Sequence, residues 1–270
     1  MKAFIILSLM SYFIASISFW INLFTKKKTG KTLGFSFFGI GFLIQIFYLV
    51  VVSIKNGTIP IVHQEDILFL LSTILAMIFY GLTLYKKQLK DFGAVYSPII
   101  VFLIALSLPN YSQNIEPYNN IWFYLHVFFA MLSYALIIAL VMVSSIYILT
   151  ERDLKNKKLN SIFVSKFSSS LKTLQDLEDK ILVLVFISVS LALIFSSIWS
   201  SVYLGKHWIW DPKQVFLSIL WIFYGGIIHF RIVRHEKGRE VSYLTIGISI
   251  LALIVYWFIK HPTYWEIQKF

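Results

Sequence analysis

An all-α integral membrane protein is the fold class this sequence predicts: a bundle of about eight transmembrane helices, with both termini on the extracytoplasmic side. Three observations predict it. Of the 270 residues, 58% are hydrophobic and only 14% charged, and the mean hydropathy is +0.77, whereas soluble domains carry about a quarter charged residues. Apolar runs near or above the ~20 residues needed to cross ~30 Å of hydrocarbon occur eight times. The basic residues alternate between connectors in step with that count.

The runs lie at 3–23, 34–54, 67–85, 93–108, 121–149, 181–203, 215–233 and 241–259. The first is long and lacks a small-residue cleavage site, so it reads as a retained span and not a removable signal peptide. The fourth is short and carries Pro98, which lipid tolerates where a neighbouring helix satisfies the freed carbonyl. The connectors 24–33, 85–92, 150–180 and 230–240 hold 18 of the 24 Lys and Arg residues, so by the positive-inside rule they face the cytoplasm. That alternation supports eight spans. It also explains the +11 formal charge without nucleic acid. The chain contains no cysteine, which excludes a structural disulfide and thiol exchange by this chain.

We read residues 1–270 as a single polytopic membrane domain. Its one sizeable soluble piece is the cytoplasmic segment 150–180. There Ile162, Phe163, Phe167, Leu171, Leu174 and Leu177 recur every three to four residues, the pattern of an amphipathic helix lying along the membrane surface. Extracytoplasmic connectors are expected at 55–66, 109–120 and 204–214, followed by the tail 260–270.

The loop 204–214 is far richer than a connector requires. "KHWIWDPKQVF" places His207, Trp208, Trp210, Asp211, Pro212 and Lys213 between two spans. Trp208 and Trp210 could wall a planar cofactor, and Lys206 and Lys213 could meet its carboxylates. Tryptophans at a membrane boundary also serve as interfacial anchors.

The topology gives each of the six histidines a depth. His126 lies about five residues into the fifth span, roughly 8 Å below its outer edge. His63, His207 and His261 are also on the outer side, His235 is in a cytoplasmic connector, and His229 sits in the inner part of the seventh span. An ionisable residue within a span is a functional candidate by default. Gly225 and Gly226, four and three residues before His229, leave the surface beside the imidazole bare of side chains. A flat macrocycle could lie there, or a neighbouring helix could approach closely. His126 and His261 are each at an outer helix end, where an amphipathic ring at the interface is unremarkable; their place on the same side as the tryptophan loop makes iron ligation a candidate role.

The segment "LGKHWIWDPKQVF" resembles the tryptophan-rich "WWD" motif of the haem-handling membrane proteins of the CcsA/ResC type, which act in cytochrome c biogenesis and have HemX relatives. Gly205, Trp208, Trp210, Asp211, Pro212 and Lys213 match the motif, while Leu204, Gln214 and Phe216 depart from it. "GTIPIVHQEDILFLL" is similar to the family segment whose glutamate, here Glu65, enters a span. "WFYLHVFFAMLSYA" is similar to the stretch with an external haem-ligand histidine, here His126, and "GGIIHFR" to the stretch with a transmembrane one, here His229. "KHPTYW" supplies His261 in the place of the second external ligand.

The resemblance implies haem delivery across the membrane and its attachment to apocytochrome c on the extracytoplasmic face. His126, His261 and His229 would be axial ligands of haem b, which would be both substrate and bound ligand. The chain would act in the cytoplasmic (inner) membrane with a CcsB/ResB-type subunit, an apocytochrome c bearing Cys-x-x-Cys-His and a thioredoxin-like thiol reductant. With that subunit it would form a holocytochrome c synthase. The alternative is a HemX-like membrane regulator of haem biosynthesis without ligase activity.

Overall fold

The computed structural model describes residues 2–25, 28–61, 64–108, 120–165, 167, 170–236 and 238–258. In chain order the elements are α1 (Lys2–Thr25), α2 (Lys28–Asn56), α3 (Gln64–Tyr85), a 3-10 turn (Lys87–Phe92) and α4 (Gly93–Leu106). There follow α5 (Ile121–Lys155), a one-turn α6 (Ile162–Ser165), α7 (Leu171–Leu204), α8 (Pro212–Ile228), a π-turn (His229–Val233) and α9 (Arg239–Phe258). Among the described residues, eight segments are long and apolar enough to span a membrane, one for each predicted run. The described residues contain no strand. This is an all-α, multi-pass membrane protein.

The helices form two compact units, Met1–Tyr118 with Asp153–Ser169, and Asn119–Arg152 with Ser170–Phe270. In the first, α1 to α4 pack around an aromatic core. Phe79 lies 4.6 Å from Phe38 and 5.2 Å from Tyr96, between ring centroids. Gly93 admits the Phe19 ring, since a Cβ there would meet it at 2.5 Å. A polar chain crosses this core: Tyr12 Oη donates to Gln45 Oε1 at 2.7 Å, and Gln45 Nε2 donates to Ser72 Oγ at 2.8 Å.

Pro98 in α4 cannot donate to the carbonyl four residues earlier, which is that of Ala94. Trp20 Nε1 of α1 donates to that oxygen at 3.0 Å. The neighbouring helix supplies what the proline removes. The 3-10 turn lengthens this span to Lys87–Leu106, and Asp91 within it pairs with Lys31 of α2 at 2.7 Å.

The surface helix expected across 150–180 is instead three pieces. α5 runs on to Lys155, α6 is a single turn, and α7 begins at Leu171. Local backbone chemistry interrupts the periodicity. Lys157 takes φ 55, Ser161 Oγ accepts from Val164 N at 3.2 Å, and Ser170 Oγ caps α7 by accepting from Thr173 N at 3.1 Å. Serines offer the chain such alternatives to a continuous helix. Leu174 and Leu177 are buried within the second unit, while Phe167 packs on Phe92 at 5.5 Å in the first.

The second unit comprises α5, α7, α8 and α9. Successive spans run antiparallel, so the start of α5, the end of α7, the start of α8 and the end of α9 share one end of it. The loop 204–214 lies at that end. α8 is fastened to α7 by Trp221, whose ring stacks on Phe186 at 5.4 Å and whose Nε1 donates to Ser190 Oγ at 2.7 Å.

Candidate functional site

α7 stops because Gly205 turns left-handed, with φ +68, a conformation glycine adopts at little cost. Its N–H bonds the Ser201 carbonyl at 3.1 Å, and Ser200 Oγ donates to the Lys206 carbonyl at 2.7 Å. His207 then folds back on α7. Its Nδ1 lies 3.4 Å from Ser197 Oγ and its Nε2 lies 3.2 Å from Ser201 Oγ, two hydroxyls one helical turn apart.

Trp208 and Trp210 meet edge to face at 5.7 Å. Trp210 is 75% exposed and holds φ 51, a left-handed backbone that costs an L-residue roughly 1–2 kcal/mol. Asp211 is buried and caps α8, its Oδ1 accepting from Lys213 N at 3.3 Å, with Pro212 at the first helical position. Capping by Asp and a proline one residue later are the ordinary chemistry of a helix start. Part of the Asp–Pro–Lys corner is thereby accounted for by the fold. Lys213 Nζ sits 5.3 Å from the Tyr256 ring centroid of α9, a cation–π contact.

His126 is half-buried on α5, and its Nδ1 lies 3.0 Å from the Ala192 carbonyl oxygen of α7. A carbonyl only accepts, so this contact selects the tautomer with the proton on Nδ1 and the lone pair on Nε2. Iron- and zinc-binding histidines are oriented by this kind of contact. Aromatic rings flank the imidazole along both helices. Phe195 stacks on Trp122 at 6.2 Å and on Phe129 at 5.5 Å, residues one turn either side of His126 on α5.

Below these rings the four helices line a partly open, mainly apolar cavity of about 30 Å³, room for a water molecule or two. His126, Ser133 and Tyr134 of α5, Ser196 of α7, and Gln214 and Tyr224 of α8 supply its polar groups. Tyr134 is 3% exposed, and its hydroxyl has no hydrogen-bond partner among the described residues. Gln214, a departure from the resembled motif, is therefore a cavity residue.

His229 begins the π-turn and is exposed. A Cβ on Gly226 would meet nothing within 4 Å, and one on Gly225 would meet Phe186 at 3.4 Å. The surface expected to be bare beside this imidazole is open over Gly226, while Phe186 of α7 lies against Gly225. His229 does not line the cavity of His126. Glu65 belongs to the first unit, where it lines a small pocket with Tyr48, Asp66 and Ser107. His261 and His63 lie outside the described residues.

By sequence Arg231 counts among the charges of the basic connector 230–240. It is fully buried at the end of a span. Its Nη2 pairs with Glu178 Oε2 at 2.8 Å and its Nε with Asp179 Oδ1 at 2.7 Å. Ser144 of α5 donates to Glu178 Oε1 at 2.6 Å, and Ser242 of α9 donates to Oε2 at 3.1 Å. All four helices of the unit meet at this cluster. An arginine only two residues beyond an intramembrane histidine was the available signal.

Comparison with known proteins follows the same lines. A family model described as cytochrome C assembly protein matches residues 61–263. The cytochrome c biogenesis protein CcsA of Guillardia theta is 26% identical over 275 aligned residues, covering 93% of this chain and 89% of its own. CcsA of Cyanidium caldarium is 26% identical, with 77% of each chain covered. CcsA of Prochlorococcus marinus subsp. pastoris is 29% identical, with 87% of this chain and 82% of its own covered. The chain belongs to the cytochrome c assembly protein family, as a CcsA-type member.

Proposed function

We propose that this protein carries haem b across the membrane and presents it to apocytochrome c for covalent attachment, within the role in cytochrome c biogenesis that its family implies. The observation that carries this reading is His126. Its Nδ1 contact with the Ala192 carbonyl puts the proton on Nδ1 and the lone pair on Nε2, the form in which an imidazole binds iron, beside an aromatic wall. An oriented imidazole and flanking aromatic rings suit one face of a flat, mostly apolar macrocycle with one metal centre. His261 would be the opposite ligand, with Trp208 and Trp210 covering an edge of the ring. His229 would hold haem at the other end of the unit before transfer.

The chemistry asked of the chain is modest. Each thiol of a Cys-x-x-Cys-His segment adds across one vinyl group: the sulfur bonds to one vinyl carbon and a proton to the other. No electrons are gained or lost overall. The protein's task is to place vinyl and thiol within reach and to exclude competing reactions, an effect of proximity and orientation. With no cysteine in the chain, a thioredoxin-like protein would keep the substrate thiols reduced. A CcsB/ResB-type subunit would complete the site at His229. We assign the loop end to the extracytoplasmic side of the cytoplasmic membrane.

The test is the optical and magnetic circular dichroism spectrum of protein purified in detergent, alone and with the partner subunit. We expect low-spin haem with two imidazole ligands, lost in His126→Ala at unchanged protein yield. A spectrum that His126→Ala leaves intact would overturn the assignment. Haem-free protein after haem has been supplied would favour the regulatory alternative.

A further inference from the structure

We propose that Arg231 is a positioning residue for His229, fixing the rotation of the end of α8 so that the imidazole is turned away from the four-helix unit. This rests on the reading of His229 as a haem ligand.

α8 does not end as an α-helix. From His229 to Val233 it widens into a π-turn, in which Arg234 N bonds the His229 carbonyl at 3.0 Å and Glu236 N the Phe230 carbonyl at 3.0 Å. One extra residue in a turn rotates everything beyond it, and such bulges recur at functional sites. What holds this turn is visible. The guanidinium of Arg231 reaches Glu178, Asp179 and Ser242 through three different nitrogens, at 2.8, 2.7 and 3.5 Å. Arg231 and Glu178 are 0% exposed.

The orientation of a rigid planar fork with several partners leaves the helix end little freedom to turn. Residues two apart lie about half a turn from each other, on nearly opposite faces, in an α-helix and in a π-turn alike. With Arg231 drawn inward, His229 is left exposed, beside the open surface over Gly226. A ligand held there meets a second chain or lipid, not the cavity of His126. The cluster is thus an aiming device whose members never touch the ligand.

The absence of cysteine permits a test without haem. A nitroxide on His229→Cys, in protein reconstituted into vesicles, reports its surroundings through oxygen accessibility. We expect a lipid-type value with Arg231 present and a several-fold change when Arg231→Met is added; an unchanged value overturns the proposal. Where Arg231→Met does not fold, Glu178→Gln, which keeps the shape and removes the charge, is read the same way.

A second arm uses haem-loaded protein with His229 intact. Arg231→Lys should lower the His229-dependent low-spin absorbance about tenfold, the scale on which supports of metal ligands act, and leave the His126-dependent absorbance in place. Equal absorbance in Arg231→Lys and the parent overturns the proposal. If His229→Ala itself leaves all haem absorbance unaltered, the ligand reading fails and the proposal with it, while the spin label still tells whether Arg231 aims the side chain.

Discussion

Asp211 and Trp210 are neighbours with different tasks. Asp211 accepts from the Lys213 amide, a role asparagine fills equally well and alanine cannot. We therefore expect Asp211→Asn to keep the parent's thermal stability in detergent, and Asp211→Ala to lose about 1 kcal/mol. If haem retention follows the cap, Asp211→Asn will retain it as well. Trp210 is exposed and held at φ 51, so Trp210→Gly should relieve roughly 1 kcal/mol of backbone strain. The same substitution should lower haem content, measured by pyridine haemochrome assay. A protein that is both more stable and equally haem-rich would reduce the ring to a membrane anchor.

At the scale of elements, α8 bears the most function per residue. Its first turn carries the cap and Gln214, its middle packs on α7 through Trp221, and its last turn opens at Gly226 before the π-turn. A side chain at Gly226 meets no obstacle, so Gly226→Leu should fold at normal yield while covering the surface next to His229. We expect His229-dependent haem absorbance to fall at least tenfold, the scale on which supports of metal ligands act, with the His126-dependent absorbance unchanged. α5 and α7 make the complementary contribution: the Ala192 carbonyl orients His126, and Phe195 stacks between the rings that flank it.

At the scale of the molecule, the second unit is joined across all four helices by one ionic cluster. Removing one partner of a buried pair leaves the other charge uncompensated, at a cost of about 3–5 kcal/mol. Arg231→Ala, which strips Glu178 and Asp179 of their cation, should therefore reduce the thermal stability of the purified protein far more than Lys31→Ala, whose ion pair in the first unit has one partner 30% exposed. Chymotrypsin digestion across a temperature ramp would measure both.

Much of this was legible in the sequence. Eight apolar runs and the alternation of basic connectors specified an all-α membrane bundle, because the length of a span and the charge of its flanks are set by the bilayer and need no partner helix. The tryptophan loop and the resemblance of residues 58 onward pointed to the family that the comparisons then established. Pro98 could be placed inside a helix on the condition that a neighbour satisfied its freed carbonyl, and Trp20 meets it.

Other features were decided by tertiary structure alone. The tautomer of His126 depends on a carbonyl 66 residues away. Arg231 counted as a connector charge until Glu178 and Asp179 were brought beside it. The periodicity of 150–180 was real but was divided among two long helices and a single turn. Hydrophobic pattern is a local property and survives in one dimension, whereas the pairing of buried polar groups is fixed only when distant helices meet in a medium that offers them no water.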